Sequence, residues 1–181
     1  MRKANAVLSA LIMVLFLIHG IEGSFQLMGF RASSNGMKAL AWGLLALICL
    51  HTLIGIKLTW DSIIICKKTG VSYFKENKLF WARRLSGFAI MILIAFHVFA
   101  FGETVNGVYR LQWFTAFKLA TQILLLLTVA LHVLMNVRPL LIGLGIPSLK
   151  ERVPDIWIWL SVLLIFMSVA FIVYYLRWNL T

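Results

Sequence analysis

The chain is poor in acid: its 181 residues include 6 Asp and Glu against 17 Lys and Arg. All the acidic residues, Glu22, Asp61, Glu76, Glu103, Glu151 and Asp155, fall outside the long apolar runs. That excludes a carboxylate proton relay or a cation-transport site built on intramembrane acids. Cysteine is equally sparse. Cys49 lies inside an apolar run and Cys66 in a Lys-flanked segment, which leaves no disulfide framework, no zinc spacing and no C-x-x-C-H signal for covalent cofactor attachment. There is no internal repeat, no low-complexity tract and no polar stretch long enough to fold alone, so 1–181 reads as one domain.

What is present is apolar. Hydrophobic residues make up 62% of the chain and charged residues 13%, and the mean hydropathy is +0.95. This composition excludes a soluble globular domain. Continuous apolar runs cover 4–21, 39–60, 85–102, 114–137 and 156–175, and each can cross a hydrocarbon core ~30 Å thick at ~1.5 Å per residue. Backbone groups in lipid must bond internally, and the runs do not alternate apolar with polar. The expectation is therefore an all-α, integral membrane five-helix bundle rather than a barrel. Met-Arg-Lys ahead of the first run resembles a signal peptide, but the run is long for one and no A-x-A-like site follows, so it is read as the first span.

The formal charge of +11 would suggest nucleic acid in a soluble chain; between membrane spans it reports topology, and no nucleic-acid partner is expected. One side collects Arg2, Lys3, Lys57, Lys67, Lys68, Lys75, Lys78, Arg83, Arg84, Arg138, Lys150 and Arg152. The other has Arg31, Lys38, Arg110, Lys118 and Arg177. The positive-inside rule then puts the N-terminus and the loop 61–84 in the cytoplasm and the C-terminus outside. Trp157, Trp159, Tyr174, Tyr175 and Trp178 bracket the last span as interfacial aromatics do.

The chain has four histidines, His19, His51, His97 and His132, one in each of the first four spans. A single membrane histidine often only bonds a neighbouring helix, but ionisable groups at this depth tend to mark function. From the span ends, His19 and His97 lie roughly 3 and 8 Å from the outer boundary, and His51 and His132 roughly 13 and 8 Å from the inner one. Two imidazoles at one level, on different helices, are what ligation of a haem iron from both faces requires. The four therefore form two sets, His19 with His97 and His51 with His132, as metal ligands for two stacked haem b groups roughly 15 Å apart along a ~30 Å core. Zinc is disfavoured, since no carboxylate or thiolate completes either set. With both axial positions taken by histidine, the expected job is electron transfer rather than oxygen chemistry.

Three further positions join the candidate site. Arg83 and Ser86 precede His97 on nearly the same face at the inner interface, where they are placed to bind propionates of the inner haem; membrane anchoring is the plain alternative for Arg83 and Arg84. Glu22, three residues after His19 at the outer edge, is placed to accept a quinol proton or approach a haem; a solvated helix-end carboxylate is its plain alternative. Gly55 lies four residues after His51, where a missing side chain lets a flat macrocycle approach.

The stretch Trp81-Ala-Arg-Arg-Leu-Ser-Gly-Phe followed by Phe96-His97-Val-Phe, together with His51-x-x-x-Gly55, resembles the cytochrome b membrane-anchor subunits of the succinate dehydrogenase and fumarate reductase family. The likeness is nearest to the single-chain, five-helix, dihaem cytochrome b558 type, and it covers nearly the whole chain. It implies the same histidine pairing, a flavoprotein subunit and an iron-sulfur subunit on the cytoplasmic face, menaquinone or a related quinone in the lipid, and a bacterial cytoplasmic membrane. Dicarboxylate chemistry is then expected on the partner, with this chain as the electron-transfer and quinone-reactive subunit. Asn136 departs from the small residue common in relatives four positions after the last haem histidine. Ala130 stands where some fumarate reductases carry a glutamate linked to proton movement. Rival expectations are a dihaem cytochrome b anchor of another membrane dehydrogenase or a hydrogenase, and a non-haem transporter or assembly protein whose histidines only bond between helices.

Overall fold

The computed structural model describes residues 1–32, 34–70, 78–105, 108–111 and 113–180; Lys75 and Glu76, both weighed in the sequence reading, lie outside the described residues. Five helices dominate: α1 (Arg2–Leu27), α2 (Asn35–Thr69), α3 (Lys78–Val98), α4 (Ala116–Leu144) and α5 (Val153–Leu180). Each is long and apolar enough to cross a membrane. The chain is a multi-pass membrane protein, all-α apart from a short antiparallel hairpin, β1 (Gly102–Val105) with β2 (Val108–Leu111), and a 3-10 turn at Pro147–Arg152. The end that carries the N-terminus, the last turn of α2 and the first turn of α3 is called the near end below; the strands β1 and β2 and the last turn of α5 lie at the far end.

The helices outrun the apolar runs that predict them. Residues 61–69, expected in a polar loop, continue α2. No Gly or Pro interrupts the chain between Gly55 and Gly70, so nothing stops the helix until Gly70 adopts φ 68°, a left-handed cap that side chains disfavour. Lys67 and Lys68 in that last turn complement the helix dipole. Ser34 and Thr115 start α2 and α4 by accepting from the backbone N–H of Met37 and Lys118 at 3.2 and 3.3 Å.

α4 runs on past Pro139 to Gly145. Proline has no N–H, so the Met135 carbonyl, four residues earlier, loses its intrahelical donor. The Nε of Arg83 on α3 supplies one, donating to Met135 O at 3.1 Å. One turn's exposed carbonyl is thereby satisfied from a neighbouring helix, as a bundle in lipid requires.

Contacts order the helices. α1 packs on α2 and α4, α3 on α2 and most extensively on α4, while α5 lies against α1 and α4. The first four helices thus form a ring in which α1 faces α3, and α2 faces α4, across the centre. The close-packed apolar core sits outside that centre, where α5 meets the others: Phe114, Leu126, Leu164, Met167 and Phe171 form one cluster, and Val137, Leu141, Val153 and Leu160 the other. By contrast, Leu44 is the sole buried residue described in α2, and α3 buries Ser86 and Leu93.

Candidate functional site

At the far end, α1 and α3 bring His19 and His97 together across the ring, with ring centres 6.0 Å apart and planes 76° apart. Their environments differ. His97 Nδ1 lies 2.8 Å from Gln122 Oε1 of α4, and Gln122 is fully buried. The polarity of that bond follows from the groups behind it. Thr121 donates its hydroxyl proton to Lys118 O at 2.8 Å, so it can only accept from Gln122 Nε2, 3.2 Å away. This turns the amide oxygen to His97, whose Nδ1 must be the protonated nitrogen and whose Nε2 keeps its lone pair. His19 Nδ1, also buried, has no hydrogen-bond partner among the described residues. Phe101 packs edge-on to His97 at 5.6 Å and stacks with Phe114 and Phe171, closing this end with aromatic side chains.

The second pair lies nearer the N-terminus, where His51 of α2 and His132 of α4 are within electrostatic range of one another and of the Arg84 guanidinium. Each is held by a serine. Ser9 of α1 donates to Asn5 O at 2.8 Å and faces His51 Nδ1 at 3.3 Å. Ser86 of α3, itself buried, donates to Arg83 O at 3.2 Å and faces His132 Nδ1 at 3.0 Å. With each hydroxyl proton placed on its backbone carbonyl, the serine oxygen accepts from the imidazole, which puts the proton on Nδ1 and leaves the lone pair on Nε2, as in His97. Helix α3 can come this close because residue 87 is glycine; a Cβ there would stand 3.2 Å from His132 Cε1.

The levels are separated by helix geometry. Ser9, which marks the near level, is ten residues before His19 on α1, and Ser86 is eleven before His97 on α3, which at ~1.5 Å per residue places the pairs roughly 15 Å apart. Among the described residues no three of His, Cys, Asp and Glu converge, so neither level offers the ligand set of a structural zinc site. Each offers two imidazoles with unprotonated Nε2 wherever the tautomer is fixed. Two neighbouring imidazoles from opposed helices, with no third ligand beside them among the described residues, are a donor set that would suit a group held between two histidines.

The other sequence candidates are distributed differently. Ser86 lies on the His132 ring. Arg83 turns its Nε to α4, and it is Arg84 that reaches inward: its guanidinium nitrogen would be 3.6 Å from a Cβ at Gly55, and its carbon centre stands 5.0 Å over the Phe80 ring. Gly55 therefore lies on the α2 face that the Arg84 side chain of α3 approaches. Glu22 forms an ion pair with Arg31 at the far edge. Asn136 donates to His132 O of its own helix at 2.6 Å. Sequence reasoning missed Ser9, Arg84, Thr121 and Gln122. Signals for two of them were present: Gln122 is an amide inside an apolar run, and Arg84 stands immediately beside Arg83, two residues before Ser86.

Fold and site together define a class, a multi-pass membrane bundle with two interior histidine pairs stacked along its axis. Compared with family models, curated proteins and solved structures, the chain matches none.

Proposed function

We propose that this chain is the dihaem cytochrome b membrane anchor of a succinate:quinone oxidoreductase, a succinate dehydrogenase or fumarate reductase, in a bacterial cytoplasmic membrane. In this reading His19 and His97 hold one haem b, and His51 and His132 hold the other. The observation that carries it is the far pair: two imidazoles from diagonally opposed helices with ring centres 6.0 Å apart, near enough to hold one group between them. The hydrogen bonds that leave Nε2 unprotonated on His51, His97 and His132 support it. When bound, the two groups would supply one-electron transfer through the membrane.

The chain's own residues bind and orient. Ser9, Ser86 and Gln122 fix tautomers, Gly87 lets His132 lie against α3, and Arg84 places positive charge beside the near pair, where it would balance acidic groups of a bound porphyrin. The near end carries the basic surplus, including Lys67 and Lys68 on the extended end of α2. On the positive-inside rule this end is cytoplasmic and is the docking face for the iron-sulfur and flavoprotein subunits, with menaquinone or a related quinone as the electron partner in the lipid. Replacing His51 or His132 by alanine tests the pairing. One of two b-type components should disappear from the reduced-minus-oxidised spectrum while the other persists; spectra unchanged in both variants would overturn the assignment.

A further inference from the structure

The two levels are not built alike. At the near level each imidazole Nδ1 lies against a serine hydroxyl, at 3.3 and 3.0 Å. The far level has a single acceptor, the Gln122 amide oxygen, at the shorter distance of 2.8 Å; His19 Nδ1 has no partner among the described residues. Gln122 is also one of the two largest fully buried side chains described, alongside Phe114. Its orientation is set by Thr121, and Thr121 by Lys118 O, all within the first two turns of α4. A buried amide must be satisfied, and a bond made away from water is electrostatically stronger than one exposed to it.

We propose that Gln122 is a positioning residue that tunes the far metal site through His97, making it electronically distinct from the near site. The proposal rests on the haem reading above. An acceptor on Nδ1–H pulls that proton from the ring, makes Nε2 a stronger donor, and favours the oxidised metal. Gln122 thus lowers the potential of whatever iron His97 binds, and the serine-held near pair is untouched by it. No other described side chain hydrogen-bonds to either far imidazole, so the control is concentrated in one residue.

The test is an optically monitored redox titration of the full-length, haem-loaded protein in detergent, with Gln122→Leu and Gln122→Glu. Leucine keeps the approximate volume and removes the acceptor; glutamate keeps an acceptor oxygen. In Gln122→Leu the midpoint of one component should rise while the other stays in place, and in Gln122→Glu the same component should lie at or below its wild-type value. Should Gln122→Leu shed one haem, retention of that haem by Gln122→Glu supports the role, and equal loss in both variants overturns it. Two wild-type haems whose potentials ignore both substitutions, or respond identically to them, overturn this inference and leave the haem reading standing. A wild-type protein without haem overturns both.

Discussion

Arg83 should matter to stability only while Pro139 is present. Its Nε donates at 3.1 Å to Met135 O, the carbonyl that Pro139 deprives of an intrahelical N–H. A hydrogen bond from a charged donor contributes about 1.5–3 kcal/mol, and stranding the acceptor costs about 1–3 kcal/mol; measured interhelical bonds in membranes fall lower, at about 0.6–2 kcal/mol. The contact is part-buried, so Arg83→Leu should cost about 1–2 kcal/mol, roughly a 5- to 30-fold fall in the folded ratio. In a Pro139→Ala background the new N–H can close the i to i−4 bond to Met135, and the same substitution should then cost less than about 0.5 kcal/mol. The coupling energy, about 1 kcal/mol, is read from equilibrium unfolding in mixed detergent of the wild type, both single variants and the double variant. A cost for Arg83→Leu that is the same in both backgrounds would refute the reasoning. Loss of haem in both backgrounds would return Arg83 to the propionate role that its sequence position suggests.

Gly87 gives a second test. Alanine there meets His132 Cε1 at 3.2 Å, a contact that a shift of a few tenths of an ångström relieves. Valine adds two methyl groups and should displace the ring: Gly87→Val should lose the near spectral component and keep the far one, while Gly87→Ala keeps both. Retention of both components by the valine variant would show that His132 does not need to lie against α3.

The spans and the two levels of histidine are legible in the sequence because they depend on two fixed quantities, the apolar length needed to cross a bilayer and the rise of a helix. A residue count along each span is enough to sort His19 with His97 and His51 with His132; in the bundle the rings of His19 and His97 stand 6.0 Å apart, and His132 is within electrostatic range of His51. Helix ends are less legible. Residues 61–69 look like a polar loop because they carry Asp61, Lys67 and Lys68, yet a helix ends where its backbone is stopped, and the stop is Gly70. Side-chain direction is lost for a similar reason. Arg83 and Arg84 differ by one helical step, both flank the ring, and a wheel projection measured from His97 favours Arg83. The long side chain of Arg84 nonetheless reaches Gly55 of α2, while Arg83 is drawn to α4 by a carbonyl freed by Pro139, some fifty residues away in sequence. Gln122 and Ser9 escape notice because their importance lies in which atom of a distant imidazole they touch, and no periodicity encodes that.

The central claim is that the two histidine pairs hold haem. The most direct measurement is haem content per chain, together with the reduced-minus-oxidised spectrum, for the protein purified from haem-replete cells. Two b-type haems per chain, low-spin as two axial imidazoles require, are predicted. A colourless protein that is folded in detergent would contradict the account.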